Sequence, residues 1–276
     1  MRKAVIDLGT NTFNLMIGEV IGNQFTMIYT EKESVLLGMN GINDGIISDE
    51  AMDRAKACLI KFKERCIEKN ITVIEGLGTS ALRSSKNSHV LIDFAKSQLL
   101  IDILIISGER EAELIHSGVS WIHDFQEQSI IMDIGGGSTE FIHGFHNKIL
   151  RKTSLNIGVS RIYQSLGKPD SFSKSQMIEI QTFLNENKND FFNELSVPVL
   201  IGSSGSFETI YKLIFSRKFP NKNGLIELPL IEVNEVLEWL IYSTLEERMN
   251  NNWISDMRKP MMPITAMQMK WAIEEF

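Results

Sequence analysis

Short apolar runs separated by turn residues fill the first 35 positions and predict β-strands at 3–8, 13–20 and 24–35. From 49 to 70 the apolar positions recur every three to four residues, which is typical of an amphipathic helix with Asp49 as its N-cap. Further strands are predicted at 72–76 and 102–106, and further helices begin near Ser80 and cover 108–121. Strands that alternate with helices indicate an α/β fold.

The second half of the chain repeats this order. Its predicted strands are at 129–134, 140–145, 149–156 and 197–201, and its predicted helices are at 159–166, 173–192, from 205 onward and at 264–276. No proline-rich or low-complexity linker separates the halves, so a short connection near 123–128 is expected. We therefore predict two domains, 1–124 and 125–276.

One pattern occurs in both halves: an apolar strand that ends in an aspartate and runs into a glycine- and hydroxyl-rich turn. Asp7 begins the first copy and Asp133 the second, 126 positions later (133 minus 7). The turn residues are Gly9, Thr10, Asn11 and Thr12 in the first copy, and Gly135, Gly136, Gly137 and Ser138 in the second. Such turns let backbone N–H groups wrap an anion, and a carboxylate can hold the magnesium that accompanies phosphate. Two copies indicate a duplicated domain that binds a phosphorylated ligand.

A second, weaker sequence similarity between the two halves supports the duplication. The segment at 73–80 resembles the segment at 199–206, and aligning Gly78 with Gly202 gives an offset of 124. Similar short glycine and serine turns also arise by chance, so this match only corroborates the first.

Three glutamates lie at the predicted start of the helix at 108–121. The helix macrodipole favours negative charge there, which is a sufficient reason for Glu109 and Glu113. Glu111 is a candidate general base that accepts a proton from water attacking a phosphoryl group. Arg83, in a segment rich in small hydroxyl residues, is a candidate phosphate clamp, and a surface ion pair is the competing interpretation.

Composition excludes several classes of function. A net charge of −7 argues against general nucleic-acid binding. No apolar run reaches the roughly 18 residues of a membrane span, and the first residues show no signal-peptide pattern, so a cytoplasmic location is expected. Cys58 and Cys66 are eight positions apart in one predicted helix, too far for a disulfide. The chain has no Walker loop, and its histidines show no metal-ligand spacing.

Four motifs in register resemble those of the exopolyphosphatase and guanosine pentaphosphate phosphohydrolase family. They are Asp-Leu-Gly-Thr-Asn-Thr at 7–12, Thr-Ser-Ala-Leu-Arg at 79–83, Ile-Ser-Gly-Glu-Arg-Glu-Ala at 106–112 and Asp-Ile-Gly-Gly-Gly-Ser-Thr-Glu at 133–140. The resemblance implies two ribonuclease-H-like domains of the actin-like ATPase superfamily with a cleft between them. It also implies hydrolysis of terminal phosphate from polyphosphate, guanosine pentaphosphate or both, with Mg²⁺ as cofactor, and it carries the expectation of a homodimer.

The resemblance also implies residue roles. Glu111 corresponds to the catalytic residue that activates water, and Asp133 and Glu140 to acids that hold the metal or position water, with Asp7 as a further metal ligand. Arg83 corresponds to the phosphate clamp. The implied substrate-binding residues are Asp7, Gly9, Thr10, Asn11, Thr12, Arg83, Gly135, Gly136, Gly137, Ser138, Gly202 and Ser206.

Two departures from the family pattern bear on the substrate. Many relatives carry Gly-Thr-Gly-Gly-Thr where this chain has Gly-Ser-Ser-Gly-Ser at 202–206, and an Arg-x-Asp element where it has Arg258, Lys259 and Pro260. Both leave the choice between short polyphosphate, long polyphosphate and a guanosine penta- or tetraphosphate open. Two other functions stay open: a kinase or ATPase of the same superfamily, and a non-catalytic sensor of guanosine tetraphosphate or polyphosphate.

Overall fold

The computed structural model describes residues 2–22, 24–220 and 224–276 and divides into two compact units, Met1–Ser107 and Gly108–Phe276. This division precedes the helix at Gly108–Val119, whereas the predicted boundary at 124 and 125 follows it. The helix groups with the second unit because Ala112 and Val119 pack against that unit's sheet.

The first unit is built on a mixed five-stranded sheet. Its strands are β1 (Arg2–Leu8), β2 (Thr12–Ile21), β3 (Gln24–Ser34), β4 (Ile74–Gly78) and β5 (Asp102–Ile105), in the spatial order β3-β2-β1-β4-β5. β1 is antiparallel to β2 and parallel to β4. In this register Asp7 is directly opposite Asn14.

Three helices accompany this sheet: α1 (Asp49–Glu68), α2 (Ser80–Ser84) and α3 (Ser88–Leu99). The N-cap of α1 is Ser48 rather than the predicted Asp49, because the Ser48 hydroxyl accepts the Ala51 N–H at 3.3 Å. The single helix predicted from Ser80 is instead two helices. The break is held by Asn87, whose side-chain amide bonds the N–H and the carbonyl of Ile47 at 2.9 and 2.8 Å.

The second unit repeats the first four strands of this arrangement. Its strands are β6 (Ser129–Ile134), β7 (Thr139–Phe145), β8 (Lys148–Leu155) and β9 (Val199–Gly202), in the order β8-β7-β6-β9. β6 is antiparallel to β7 and parallel to β9, as β1 is to β2 and β4. The predicted α/β class and the repeated ribonuclease-H-like strand order are therefore confirmed.

Helices cover both faces of the second sheet. They are α4 (Gly108–Val119), α5 (Val159–Ser165), α6 (Lys174–Glu186), α7 (Gly205–Phe215), α8 (Leu230–Tyr242), α9 (Leu245–Met249) and α10 (Met262–Glu275), with 3-10 turns at Asp190–Phe192 and Lys259–Met261. α4 packs on one face, against Ile131 and Ile142. On the other face the Phe141 ring contacts Phe192 and Trp271, with ring centroids 5.2 and 6.0 Å apart.

The helix predicted over 173–192 is too long. α6 ends at Glu186, where the Asn187 side chain donates to the Phe183 carbonyl at 2.8 Å, and Asn189 then caps the 3-10 turn. α8 and α9 lie in a stretch for which no element was predicted. In the part of the chain that the structure describes, no helix combines the length and apolarity that a membrane crossing requires.

Candidate active site

The glycine turn between β6 and β7 is held by its carbonyl groups. The turn closes on itself through the Gly135 N–H, which donates to the Ser138 carbonyl at 3.0 Å. The start of α5 then binds three successive carbonyls: those of residues 135, 136 and 137 accept from the Val159 N–H, the Ser160 N–H and the Arg161 Nε at 3.1, 2.8 and 2.7 Å. All three donors belong to the first turn of α5.

This arrangement sets the direction of the neighbouring N–H groups. In a planar trans peptide the carbonyl and the following N–H point in opposite directions. With the carbonyls directed at α5, the N–H groups of Gly136, Gly137 and Ser138 point to the other side. Successive N–H groups aimed together form the concavity that binds phosphate oxygens.

The turn between β1 and β2 has the same construction. The Gly9 N–H donates to the Thr12 carbonyl at 3.1 Å. The Thr10 carbonyl accepts from the Gly38 N–H at 3.1 Å, and the Asn11 carbonyl accepts from two N–H groups, those of residues 35 and 36, at 3.0 and 2.9 Å. The N–H groups of Asn11 and Thr12 are therefore directed to the opposite side, so the two units share the construction of this turn.

A pair of acids, of which Glu140 is buried and Asp133 is partly buried, lies beside the second turn. Asp133 and Glu140 are directly opposite each other on β6 and β7. The Ser154 hydroxyl donates to Glu140 Oε1 at 2.7 Å, and the Ser203 hydroxyl donates to Asp133 Oδ2 at 3.2 Å. Burial, together with the nearby charges of Glu111 and Asp133, raises the pKa of the Glu140 carboxyl to about 8. The three predicted catalytic acids are thus close enough to interact electrostatically.

Glu111 differs from the two other glutamates of its helix. Glu113 pairs with Arg110 at 2.8 Å and also with Lys152, whose Nζ lies 3.8 Å from Glu109. These are surface ion pairs, as expected for acids favoured by the helix macrodipole. Glu111 instead influences the buried Glu140. This supports the selection of Glu111 from the three.

In the first unit an amide replaces one of the two acids. Asn14 occupies the position opposite Asp7, and its Nδ2 donates to Asp7 Oδ2 at 2.9 Å. Burial raises the pKa of the Asp7 carboxyl, whereas the Asn14 bond and the charge of Lys32 oppose that rise. At this position the two units therefore share the same backbone pairing, but the first unit carries one carboxyl group there and the second carries two.

The remaining predicted binding residues lie at element ends. Arg83 is in α2, and its Nη1 donates to the Ile106 carbonyl at 2.9 Å, which ties the guanidinium to the end of the neighbouring strand. Gly202 ends β9, where a Cβ would overlap the Phe207 ring. Ser206 is buried in the first turn of α7. Their roles in substrate binding stay predictions.

The protein family of this chain is shown by the family model that its sequence matches. A model of the Ppx/GppA phosphatase family matches residues 16–276. The chain belongs to the Ppx/GppA phosphatase family. The matched range contains the second turn and all three clustered acids, and the turn at 7–12 precedes it.

Individual members of the family resemble the chain over most of its length. A bifunctional 3-dehydroquinate synthase/phosphatase from Fusobacterium nucleatum is 34% identical, over 75% of this chain and 33% of that protein. A guanosine-5'-triphosphate,3'-diphosphate pyrophosphatase from Pseudoalteromonas translucida is 30% identical, over 84% of this chain and 48% of that protein. The chain thus spans a third of the first relative and about half of the second.

Solved structures of the family show the same fold. The crystal structure of an exopolyphosphatase from Cytophaga hutchinsonii matches with a TM-score of 0.94 and 34% identity, over 100% of this chain and 91% of that one. The resemblance inferred from the four motifs is therefore confirmed.

A metal ion at this site would depend on few protein ligands. Within residues 2–22, 24–220 and 224–276, no three His, Cys, Asp or Glu side chains are grouped so that they alone hold a metal ion. Mg²⁺ commonly takes only one or two carboxylates and completes its shell with water and substrate phosphate. The Asp133 and Glu140 pair fits this requirement, since a cation would relieve the repulsion that raises the Glu140 pKa.

We expect the stability of the metal-free protein to fall as the pH rises from about 4.5 to about 8. Glu140 titrates at its ordinary value of 4.5 in the unfolded chain and at about 8 in the folded protein, so the unfolded state loses this proton first. The free energy of unfolding then declines with pH in this window. Urea unfolding at several pH values should show a shallower decline for Glu140→Gln, and added Mg²⁺ should reduce the decline of the wild type.

Glu109→Gln is the control for this measurement, because the Glu109 side chain is 73% exposed. It should leave the pH slope unchanged. Equal slopes for the wild type and Glu140→Gln would contradict the assignment of a buried, protonated Glu140.

Sequence reasoning assigned no individual role to Asn14 in the first unit or to Ser154, Arg161 and Ser203 in the second. Asn14 precedes Glu140 by the same 126 positions (140 minus 14) that separate the two aspartates, so extending the alignment of the two turns would have identified it. Ser154 is opposite Glu140 in the pairing of β7 with β8. That register, and the approach of α5 and β9 to β6, appear only in the folded chain.

Proposed function

We propose that this protein is a phosphohydrolase of the exopolyphosphatase type. It removes terminal orthophosphate from inorganic polyphosphate, from guanosine pentaphosphate or from both. The observation that carries the proposal is the paired acids Asp133 and Glu140, within the electrostatic influence of Glu111, beside a turn whose N–H groups are directed away from α5. A site for a phosphate group and acids for proton transfer next to it are the two requirements of this chemistry.

The chain's residues divide the reaction between them. The N–H groups of Gly136, Gly137 and Ser138 hold the oxygens of the terminal phosphoryl group and stabilise its charge. Glu111 accepts a proton from the attacking water as the new P–O bond forms and the bridging P–O bond breaks. The products are orthophosphate and a substrate shorter by one phosphate.

We propose Mg²⁺ as the cofactor, with Asp133 and Glu140 as candidate ligands in the second unit and Asp7 as a candidate ligand in the first. When bound, the ion neutralises charge on the phosphate oxygens. Ser154 and Ser203 hold the two carboxylates of the second unit in place through their hydroxyl groups. We also assign phosphate binding to Arg83 and to the turn at 9–12, and substrate preference to Gly202 and Ser206. A homodimer in the cytoplasm is the expected form of the protein.

A panel of substrates tests the proposal. Phosphate release should be measured with tripolyphosphate, long-chain polyphosphate, guanosine pentaphosphate and ATP, each with Mg²⁺ and each with an excess of chelator. Release from polyphosphate or guanosine pentaphosphate that stops on chelation is the expected result. Turnover of ATP alone would indicate a kinase or ATPase, and binding of any of these compounds without turnover would indicate a sensor.

A further inference from the structure

The two anion-binding turns differ in how their third carbonyl bond is made. In the first unit the backbone N–H groups of residues 35, 36 and 38 donate to the carbonyls of Thr10 and Asn11. In the second unit two donors are backbone N–H groups, and the third is the Nε of Arg161, which donates to the Gly137 carbonyl at 2.7 Å. This bond can be removed by substitution without altering the backbone.

The Gly137 carbonyl belongs to the peptide unit whose N–H is that of Ser138. Because the peptide is planar, fixing the carbonyl fixes the direction of the Ser138 N–H. The Ser138 side chain also hydrogen-bonds Glu140. The hydrogen bond from Arg161 therefore holds the peptide group that leads into Ser138, and Ser138 links the phosphate-binding turn to Glu140.

We propose that Arg161 is a positioning residue that orients the phosphate-binding turn at 135–138 for its ligand. The proposal rests on the proposed function, since it assumes that this turn holds a phosphate group. A charged donor makes a stronger bond to a carbonyl than a neutral one. A turn displaced by about 1 Å would lose a large part of its affinity and rate, on the order of 100-fold.

Two substitutions separate the donor from the charge. Arg161→Gln places an amide nitrogen the same number of bonds from Cα as Nε, and Arg161→Met places a methyl carbon there. If the bond to the Gly137 carbonyl orients the turn, Arg161→Met should raise KM for tripolyphosphate and weaken the binding of inorganic phosphate by about tenfold or more. Arg161→Gln should stay within about threefold of the wild type, because it restores the donor.

Arg151 provides a matched control. Its Nη1 also donates to a backbone carbonyl, that of Asn193 at 3.1 Å, at the exposed strand β8. Arg151→Met should leave KM and phosphate binding unchanged. Thermal unfolding of all variants shows whether a loss of binding reflects a loss of fold.

The outcomes separate the inference from the function on which it rests. Equal losses in Arg161→Gln and Arg161→Met, or a fall in melting temperature and kcat with KM and phosphate affinity unchanged, would overturn the positioning role. A wild type that binds inorganic phosphate but releases none from any substrate would overturn the hydrolase alone, and the phosphate titration would still test Arg161. A wild type that neither binds inorganic phosphate nor releases phosphate from any substrate would overturn both.

Discussion

Replacing Glu111 by glutamine is expected to lower phosphate release by about 100- to 10,000-fold, the usual contribution of a general base. Glutamine has nearly the same shape but cannot accept the proton of the attacking water. It also removes one of the two charges that raise the Glu140 pKa, so the fold should be at least as stable as that of the wild type. Steady-state phosphate release, paired with calorimetric binding of tripolyphosphate, separates the loss of chemistry from the loss of affinity.

Glu109→Gln is the matched control on the same helical turn. Glu109 lies 3.8 Å from Lys152 at the surface, and such an exposed pair contributes little. The control should therefore keep full turnover. Retention of turnover in Glu111→Gln would remove this residue from the mechanism.

Replacing Gly158 by alanine is expected to displace the second phosphate-binding turn. An added Cβ would lie 2.5 Å from the carbonyl carbon and oxygen of Gly136, and these backbone atoms have little freedom to move away. We expect a loss of about 1–3 kcal/mol in the free energy of unfolding from overpacking. We also expect a fall in kcat/KM on the order of 100-fold, because the N–H groups of the turn would no longer match the ligand. Chemical unfolding and phosphate-release kinetics on the same preparation measure both effects.

Gly118→Ala is the control for added bulk at a glycine. Gly118 lies in α4, where a Cβ would meet nothing within 4 Å, and alanine is the better helix former by about 0.5–1 kcal/mol. This variant should be slightly more stable and fully active. If Gly158→Ala behaves in the same way, α5 does not hold the turn closely.

Elements that depend only on neighbouring residues were predicted from local sequence patterns. The alternation of strand and helix, the offset of 126 positions between the turns, and the candidate roles of Glu111 and Asp133 all depend on short sequence stretches. The role of Glu140 was implied by the family resemblance of the motif at 133–140. The same offset would also have identified Asn14. These features were accessible because a buried strand followed by a glycine turn leaves a clear pattern in the sequence.

Other features depend on contacts between distant residues. The helix predicted from Ser80 is broken because Asn87 bonds the backbone of Ile47, 40 positions earlier. The unit boundary precedes α4 because that helix packs on strands that follow it in the chain. Ser203 reaches Asp133 across 70 positions. The spacing of apolar residues along the chain carries no information about contacts between residues this far apart.

The construction of the two turns has a consequence for how freely they vary. In the proposed function their hold on an anion comes from peptide groups whose carbonyls are hydrogen-bonded on the other side of the turn. A side chain is sterically excluded at Gly9 and Gly135, because a Cβ at either position would lie 2.8 Å from the carbonyl oxygen that closes the turn. Both copies are therefore expected to keep glycine at the first position of the turn even where the other letters of the two turns differ.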